Sequence, residues 1–120
     1  MYNITEGVII LELKSVQKGS ELTLYLRGEI DHHSARKMRE TADALIHQKK
    51  PSLLKMNFSG VSFMDSSGIG LIMGRYRTML LYGGKLRVVS IPEQIRKMME
   101  LSGLGTLNIL ERSRQDETTE

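Results

Sequence analysis

The chain has 120 residues, of which 40% are hydrophobic and 26% charged, and it contains no cysteine. This length predicts one domain with a single core, and the lack of cysteine excludes disulfides, thiolate metal sites and cysteine nucleophiles. The formal net charge of +3 does not indicate nucleic-acid binding, because the basic residues are scattered among acidic ones and no aromatic stacking surface accompanies them.

Residues 1–6 lack the basic start and the long apolar run of a signal peptide. No apolar run in the sequence approaches the ~20 residues that are needed to span a bilayer. We therefore expect a cytoplasmic protein.

The first half of the chain predicts two strands and a helix. Residues 8–14 and 22–28 have the apolar patterns of strands, and residues 17–20 have the composition of a turn. Because this connection is short, the two strands should form an antiparallel hairpin. The helix that follows has Asp31 or Ser34 as its N-cap, and its apolar stripe consists of Ala35, Met38, Ala42, Leu45 and Ile46.

The second half of the chain alternates strands with helices. Residues 53–58 and 86–89 predict strands, and apolar residues at helical spacing predict helices over residues 69–80 and 92–103. We expect a loop over residues 59–64, a short strand or a core contribution from residues 107–110, and a disordered polar tail over residues 111–120. Strands that are joined by helices should be parallel, with right-handed crossovers. The predicted fold is therefore α/β, a small mixed sheet of four to five strands with a leading antiparallel hairpin and helical crossovers, in one domain over residues 1–110.

Asp65, Ser66 and Ser67 lie where the third predicted strand gives way to the second helix. Aspartate or serine oxygens at a helix start can accept hydrogen bonds from free backbone N–H groups, so Asp65 or Ser66 can be simply an N-cap. In a second interpretation, an exposed serine here is a phosphorylation switch, because a phosphate adds about −1.5 to −2 charge to a surface that could dock a partner. The local sequence leaves both interpretations open.

Two predicted loops, residues 28–34 and 64–68, each follow a strand of a parallel pair and precede a helix. They should therefore emerge at the same edge of the sheet, where α/β proteins usually bind ligands, and form one candidate patch. Gly68, Gly70 and Gly74 should let the second helix lie close against another backbone. These glycines also resemble a variant dinucleotide fingerprint, but they lie well beyond the strand, and the next strand does not end in an acidic residue.

The sequence contains no recognisable catalytic constellation. His32 and His33 are adjacent, so they share no face of a helix or strand, and no carboxylate–histidine spacing completes a metal site. Ser66 lacks the context of a nucleophile elbow, and the sequence has neither a metal-binding acid cluster nor a phosphate-binding loop with lysine. We expect no enzymatic activity, no metal and no cofactor.

Three separated segments of the sequence resemble the STAS-domain anti-sigma factor antagonists. They are residues 28–33 (GEIDHH), residues 63–70 (FMDSSGIG) continued by residues 74–76 (GRY), and residues 99–104 (MELSGL). The likeness extends over residues 8–110, and the members that antagonise the anti-sigma F factor in sporulation are the most similar. The resemblance implies the STAS fold.

The same resemblance implies partner switching. Members of this family bind an anti-sigma factor that is also a serine kinase, and they thereby release a sigma factor for transcription. The kinase phosphorylates the serine after the signature aspartate, which corresponds to Ser66, and a separate serine phosphatase restores the binding form. The family's contacts with the kinase correspond to Gly28, Glu29, Asp31, His32, Asp65, Ser66, Ser67 and Ile69.

Several points stay open at the level of the sequence. Residues 112–120 are polar where some family members carry a further amphipathic helix, so we do not expect a fourth helix. Ser67 is a second hydroxyl beside Ser66 and could also be the phosphate acceptor. Besides sporulation, an antagonist or scaffold in a general stress response and a nucleotide-binding STAS module are alternatives. We expect the free protein to be a monomer that binds neither nucleic acid nor membrane.

Overall fold

The structure is a computed structural model, and it describes residues 12–113. These residues form one sheet with the strand order β1-β2-β3-β4, together with three α-helices and a short 3-10 helix. In chain order the elements are β1 (Leu13–Lys18), β2 (Glu21–Ile30), α1 (His32–Lys49), β3 (Leu53–Met64), α2 (Ser66–Leu81), β4 (Lys85–Val89), α3 (Glu93–Leu101) and the 3-10 helix (Leu104–Leu107).

The sheet has the predicted topology. β1 pairs with β2 in the antiparallel direction, whereas β2 with β3 and β3 with β4 are parallel pairs. Because α1 joins β2 to β3 and α2 joins β3 to β4, each parallel pair is connected by a helix. The expected α/β fold, with its leading hairpin and helical crossovers, is therefore confirmed.

The predicted boundaries are wrong where strands continue past their apolar runs. Residues 17–18, predicted as part of a turn, belong to β1, and residues 8–11 of the predicted first strand lie outside the described residues. β2 continues to Ile30 and β3 to Met64, so the predicted loops are replaced by strand over residues 28–30 and 59–64. The β2–β3 register shifts at two places along the extended strands. A bulge of this kind places an extra residue in one strand and lets the pairing continue beyond it. Gly28 lies at one of these two places with a φ of 85°, which favours glycine.

The core lies between the sheet and the helices. Alternate residues of β2, Leu22, Leu24 and Leu26, are buried, as expected for a strand with one face in the core. α1 and α2 pack beside each other over this face; the largest side chains that they and the strands bury completely include Met38, Ile46, Met56, Phe58, Ile72 and Met79. No helix within residues 12–113 is both long and apolar enough to cross a membrane.

The end of the described chain is attached to β4. Ile109 is buried in the core, and Leu110 forms an isolated parallel bridge with Val88, so the segment both joins the core and touches the sheet. Glu111, the first residue of the predicted tail, is held in place: its N–H donates to the Val88 carbonyl at 2.8 Å, and its carboxylate accepts from the Ser90 N–H at 2.7 Å. The remainder of the predicted tail, from residue 114, lies outside the described residues.

Candidate functional site

Two aspartates lie side by side at the ends of neighbouring strands. Ile30 and Met64 are partners in the parallel β2–β3 register, and Asp31 and Asp65 follow them directly. The Asp65 N–H donates to the Ile30 carbonyl at 3.1 Å, which joins the two strand ends. The segments that were predicted to emerge at one edge therefore do so, and we call the strand ends with Asp31 and Asp65 the carboxyl edge.

Asp31 caps α1. Its carboxylate accepts hydrogen bonds from the N–H groups of His33 at 3.0 Å and Ser34 at 2.9 Å, while the Ser34 hydroxyl accepts from the Asp31 N–H at 3.0 Å. This reciprocal arrangement is a capping box. The pKa of Asp31 lies below its ordinary value, chiefly because the Ser34 N–H donates a hydrogen bond to the charged carboxylate. The Ser34 hydroxyl and His33 lower the pKa further, whereas partial burial of the carboxylate raises it.

Asp65 caps α2 with its side chain alone. Its carboxylate accepts from the Ser67 N–H at 2.8 Å, so of the two N-caps considered for this helix the structure has Asp65. Ser66 is the first residue of α2 and is exposed. Within residues 12–113 its hydroxyl makes no hydrogen bond. Ser67 is half-buried.

The remaining residues of the predicted contact set also lie at the ends of β2 and β3 or in the first turns of the two helices. Glu29 and His32 are exposed, and Gly28 is half-buried. Ile69 is half-buried and packs against the core, so part of its side chain has a structural role. The structure thus brings the set together, and its contact with a partner stays a prediction.

Phe63 is a surface residue that was not in the predicted contact set. It lies opposite Glu29 in the β2–β3 register, two positions before Asp65, and half of its side chain surface (50%) is exposed. An exposed aromatic ring at the end of a strand gains from burial against a partner. The residue was part of the recognised motif, but only the register shows that it adjoins Glu29.

A groove between α1 and α2 was also not predicted. It has a volume of about 480 Å³, and its lining residues are His32, Ala35, Arg36, Arg39, Ser67, Gly70 and Leu71. A Cβ atom added at Gly70 or Gly74 would meet no atom of another element within 4 Å in residues 12–113, so the expectation that these two glycines let α2 lie close against another backbone is wrong. At Gly68, by contrast, a Cβ would clash with the Met64 side chain. The spacing of His32, Arg36 and Arg39 along one helix was the available signal for the groove.

No group of three or more histidine or acidic side chains in the described part of the chain could hold a metal ion. The adjacent His32 and His33 are both exposed. The carboxyl edge brings together two carboxylates that cap helices, the exposed Ser66 side chain and a half-exposed aromatic ring, and a groove lined by basic side chains lies beside it.

Comparison with known proteins identifies the family. The model of the STAS domain matches residues 6–117. The chain belongs to the STAS domain family. This STAS domain is 37% identical over 84 residues to the anti-sigma F factor antagonist of Lysinibacillus sphaericus, covering 70% of this chain and 72% of that protein. It is 30% identical over 88 residues to the anti-sigma-B factor antagonist of Bacillus subtilis, covering 73% of this chain and 79% of that protein.

A solved structure agrees with the sequence relatives. The STAS domain resembles the anti-sigma factor antagonist SpoIIAA in its unphosphorylated form with a TM-score of 0.74 and 29% identity, over 89% of this chain and 92% of that one. The same protein, from Bacillus, has also been solved in a phosphorylated form. The predicted family is therefore confirmed, and the chain groups with regulatory antagonists of anti-sigma factors.

Proposed function

We propose that this STAS domain binds, through its carboxyl edge, an anti-sigma factor that is also a serine kinase, and so releases a sporulation sigma factor. Phosphorylation of Ser66 by that kinase switches the binding off, and a serine phosphatase restores it. The observation that carries the proposal is the exposed hydroxyl of Ser66 beside Asp65 at the carboxyl edge, which makes no hydrogen bond to any residue from 12 to 113. The chain itself contributes no catalysis: it is the substrate and the partner.

Ser66 is a better acceptor than Ser67 in this geometry. A kinase must bring the serine hydroxyl in line with the γ-phosphate of ATP, which requires an accessible side chain. Ser66 is exposed, whereas Ser67 is half-buried and its N–H donates a hydrogen bond to the Asp65 carboxylate. The antagonist SpoIIAA, which this fold resembles, exists in unphosphorylated and phosphorylated forms, and this supports a phosphate-dependent switch.

A phosphate on Ser66 would act through charge without refolding the domain. The positive end of the α2 dipole favours an anion at this position in the free protein. In a complex, the added charge of about −1.5 to −2 would lie beside the Asp31 and Asp65 carboxylates and inside the contact surface. Like charges brought together in an interface can cost several kcal/mol, and a hundredfold loss of affinity requires only about 2.7 kcal/mol.

The proposal includes a setting for the protein. We place it in the cytoplasm as a free monomer, with the domain over residues 1–110 and a polar tail over residues 111–120. It needs no cofactor of its own, because the kinase supplies the ATP.

Phosphate mapping and binding measurements with the cognate anti-sigma factor test the proposal. After incubation with the kinase and ATP, mass spectrometry should find phosphate on Ser66 in the wild type and in Ser67→Ala, and none in Ser66→Ala. In calorimetric titrations with ADP present, Ser66→Asp should bind at least tenfold more weakly than the wild type, and Ser66→Ala should bind equally well. Phosphate on Ser67 or elsewhere would contradict the assignment of Ser66.

An antagonist in a general stress response is the second candidate. The anti-sigma-B factor antagonist of Bacillus subtilis matches 73% of this chain at 30% identity, which is close to the values for the anti-sigma F antagonists. Parallel titrations with an anti-sigma F factor and an anti-sigma-B factor separate the two candidates. Tighter binding to the anti-sigma-B factor would move the protein to the second pathway and leave the switch at Ser66 intact.

A further inference from the structure

We propose that the groove between α1 and α2 receives an acidic segment of the anti-sigma factor, a short stretch of its chain that carries aspartate or glutamate side chains. This inference rests on the proposed function and specifies how the partner is recognised. The groove opens at the carboxyl edge, because Ser67 lines it and Ser66 precedes Ser67. A partner that covers Ser66 is therefore continuous with one that enters the groove.

The charged side chains that line the groove are basic. His32, Arg36 and Arg39 line it, and they occupy one side of α1 at intervals of four and three residues. Arg36 lies 3.7 Å from Glu40, but both side chains are largely exposed, so this pair is weak. Arg39 has no ion-pair partner within residues 12–113. An acidic ligand would supply the missing counter-charge.

A buried arginine adds to the positive potential of the helix pair. Arg75 of α2 is 5% exposed and pairs with Asp43 of α1 at 2.9 Å, while its Nη1 atom has no hydrogen-bond partner in the described structure. Burial lowers the pKa of Arg75, because the charged guanidinium is removed from water. The Asp43 carboxylate raises this pKa, and the positive charges of Arg39 and Arg77 lower it further. Arg39 and Arg75 therefore disfavour each other's charge, and an anion beside Arg39 relieves this repulsion.

The floor of the groove allows a peptide backbone to approach. Gly70 lines the groove and has open space above it, and Ala35, which also lines it, is small. Glycine inside a helix destabilises it relative to alanine, and no contact within the described chain offsets that cost at Gly70. The side of α1 that lines the groove, from His32 to Arg39, extends about 10 Å, which is the length of about three extended residues. This length suits a short peptide better than a single phosphate.

The inference explains why phosphorylation at Ser66 releases the partner. An acidic segment in the groove would lie next to the Ser66 phosphate, so the repulsion would act directly between the phosphate and the partner. Phosphorylation would then work against the same contact that the basic residues favour.

Charge reversal in the groove is the first test, with titrations of the cognate anti-sigma factor in the presence of ADP. Arg39→Glu should weaken binding at least tenfold at low salt. Lys37→Glu is the matched control, because it makes the same change of charge on exposed α1 surface outside the groove, and it should change the affinity less than threefold. Equal losses in both variants would indicate general attraction between charged surfaces and would overturn the inference.

Steric filling of the groove is the second test. Gly70→Leu places a large side chain where no atom lies within 4 Å, and its fold can be checked by circular dichroism. It should weaken binding at least tenfold, whereas Ala44→Leu, which adds bulk to exposed α1 surface outside the groove, should not. If folded Gly70→Leu binds like the wild type, the groove is empty in the complex and the inference is wrong.

Two further outcomes separate this inference from the proposed function. If the wild type binds no anti-sigma factor at all, the proposed function fails first. If the wild type binds and both groove variants bind equally well, the inference alone fails. Titration of the free domain with ATP should give no heat; binding of ATP that Arg39→Glu abolishes would show that the groove takes a nucleotide and would overturn the assignment to a peptide.

Discussion

The two ends of the α1–α2 pair differ in how completely the helices contact each other. At the C-terminal end, which we call the closed end, the His47 ring nitrogen lies 3.2 Å from the Tyr82 hydroxyl, and the Lys50 amine lies 5.7 Å from the centre of the Tyr82 ring. At the N-terminal end, the open end, the same helices are separated by the groove over Gly70. Between them, Arg75 and Asp43 form an ion pair.

This difference separates stability from recognition along one pair of helices. Contacts at the middle and the closed end are made within the chain, so changes there should lower the free energy of unfolding and leave partner binding intact. Apart from the two helix caps, Asp31 and Asp65, groups at the open end have few partners in the described chain, so changes to them should alter binding and leave stability nearly intact. Each prediction below tests one side of this division.

The largest expected effect on stability is at the ion pair between the helices. Asp43→Ala removes the acidic partner of Arg75, which is almost completely buried. Breaking a buried ion pair by removing one partner costs about 3–5 kcal/mol, and the loss here should lie near or below the lower end of that range because Asp43 itself is 44% exposed. Urea unfolding should show the loss directly.

The control for this prediction is the double variant Asp43→Ala/Arg75→Met, which replaces the charge with an apolar side chain. Burying a methionine carries no charge penalty, so the double variant should recover part of the lost stability. Binding of the anti-sigma factor should not be weakened in the single variant. Weaker binding by a folded Asp43→Ala protein would mean that the two ends are not independent.

Phe63 gives the complementary prediction for the open end. Exposed aromatic residues often become anchors at interfaces, and Phe63 adjoins Glu29 of the predicted contact set. Phe63→Ala should weaken binding of the anti-sigma factor about tenfold, which corresponds to about 1.4 kcal/mol, with a smaller effect on unfolding because the ring is half exposed.

Leu81→Ala is the matched control for Phe63→Ala. Leu81 is 86% exposed and lies at the last position of α2, at the closed end. Its truncation should change neither binding nor stability measurably. If Leu81→Ala weakens binding as much as Phe63→Ala does, the partner does not distinguish the open end from the closed end.

The fold was predictable because its main signals are local. Apolar periodicity located the helices, and the lengths of the connections implied the antiparallel hairpin and the parallel crossovers. The meeting of Asp31 and Asp65 followed from topology alone, since parallel strands present their carboxyl ends at one edge. The bulges were missed because Ser59 and Gly60 have the composition of a loop; in the structure, the Asn57 side chain accepts the Ser59 N–H at 2.9 Å within β3.

The groove depends on the distance between α1 and α2, which no local sequence pattern predicts. Gly68, Gly70 and Gly74 look alike in the sequence, yet Gly68 is buried against Met64 while the other two face open space. Met64 of β3 covers Gly68. The space over Gly70 depends instead on how far α1 lies from α2, and contacts distant in sequence, such as Arg75–Asp43, set that separation. A prediction from sequence could place glycines on the helix, but it could not tell which of them another chain can reach.

The smallest expected effect concerns the pH dependence of the cap at Asp31. Because hydrogen bonds from Ser34 hold the pKa of the folded carboxyl below its ordinary value of 3.8, the unfolded chain binds the proton more readily. The charged cap therefore stabilises the fold at pH values above that ordinary pKa, and this contribution is lost as the pH falls through the folded pKa.

Asp31→Asn keeps an oxygen that can cap the helix but removes the charge. The difference in urea midpoint between wild type and variant should be largest at pH 7 and should shrink towards pH 3; a constant difference would mean that the charge of Asp31 contributes nothing and that α1 is capped by hydrogen-bond geometry alone.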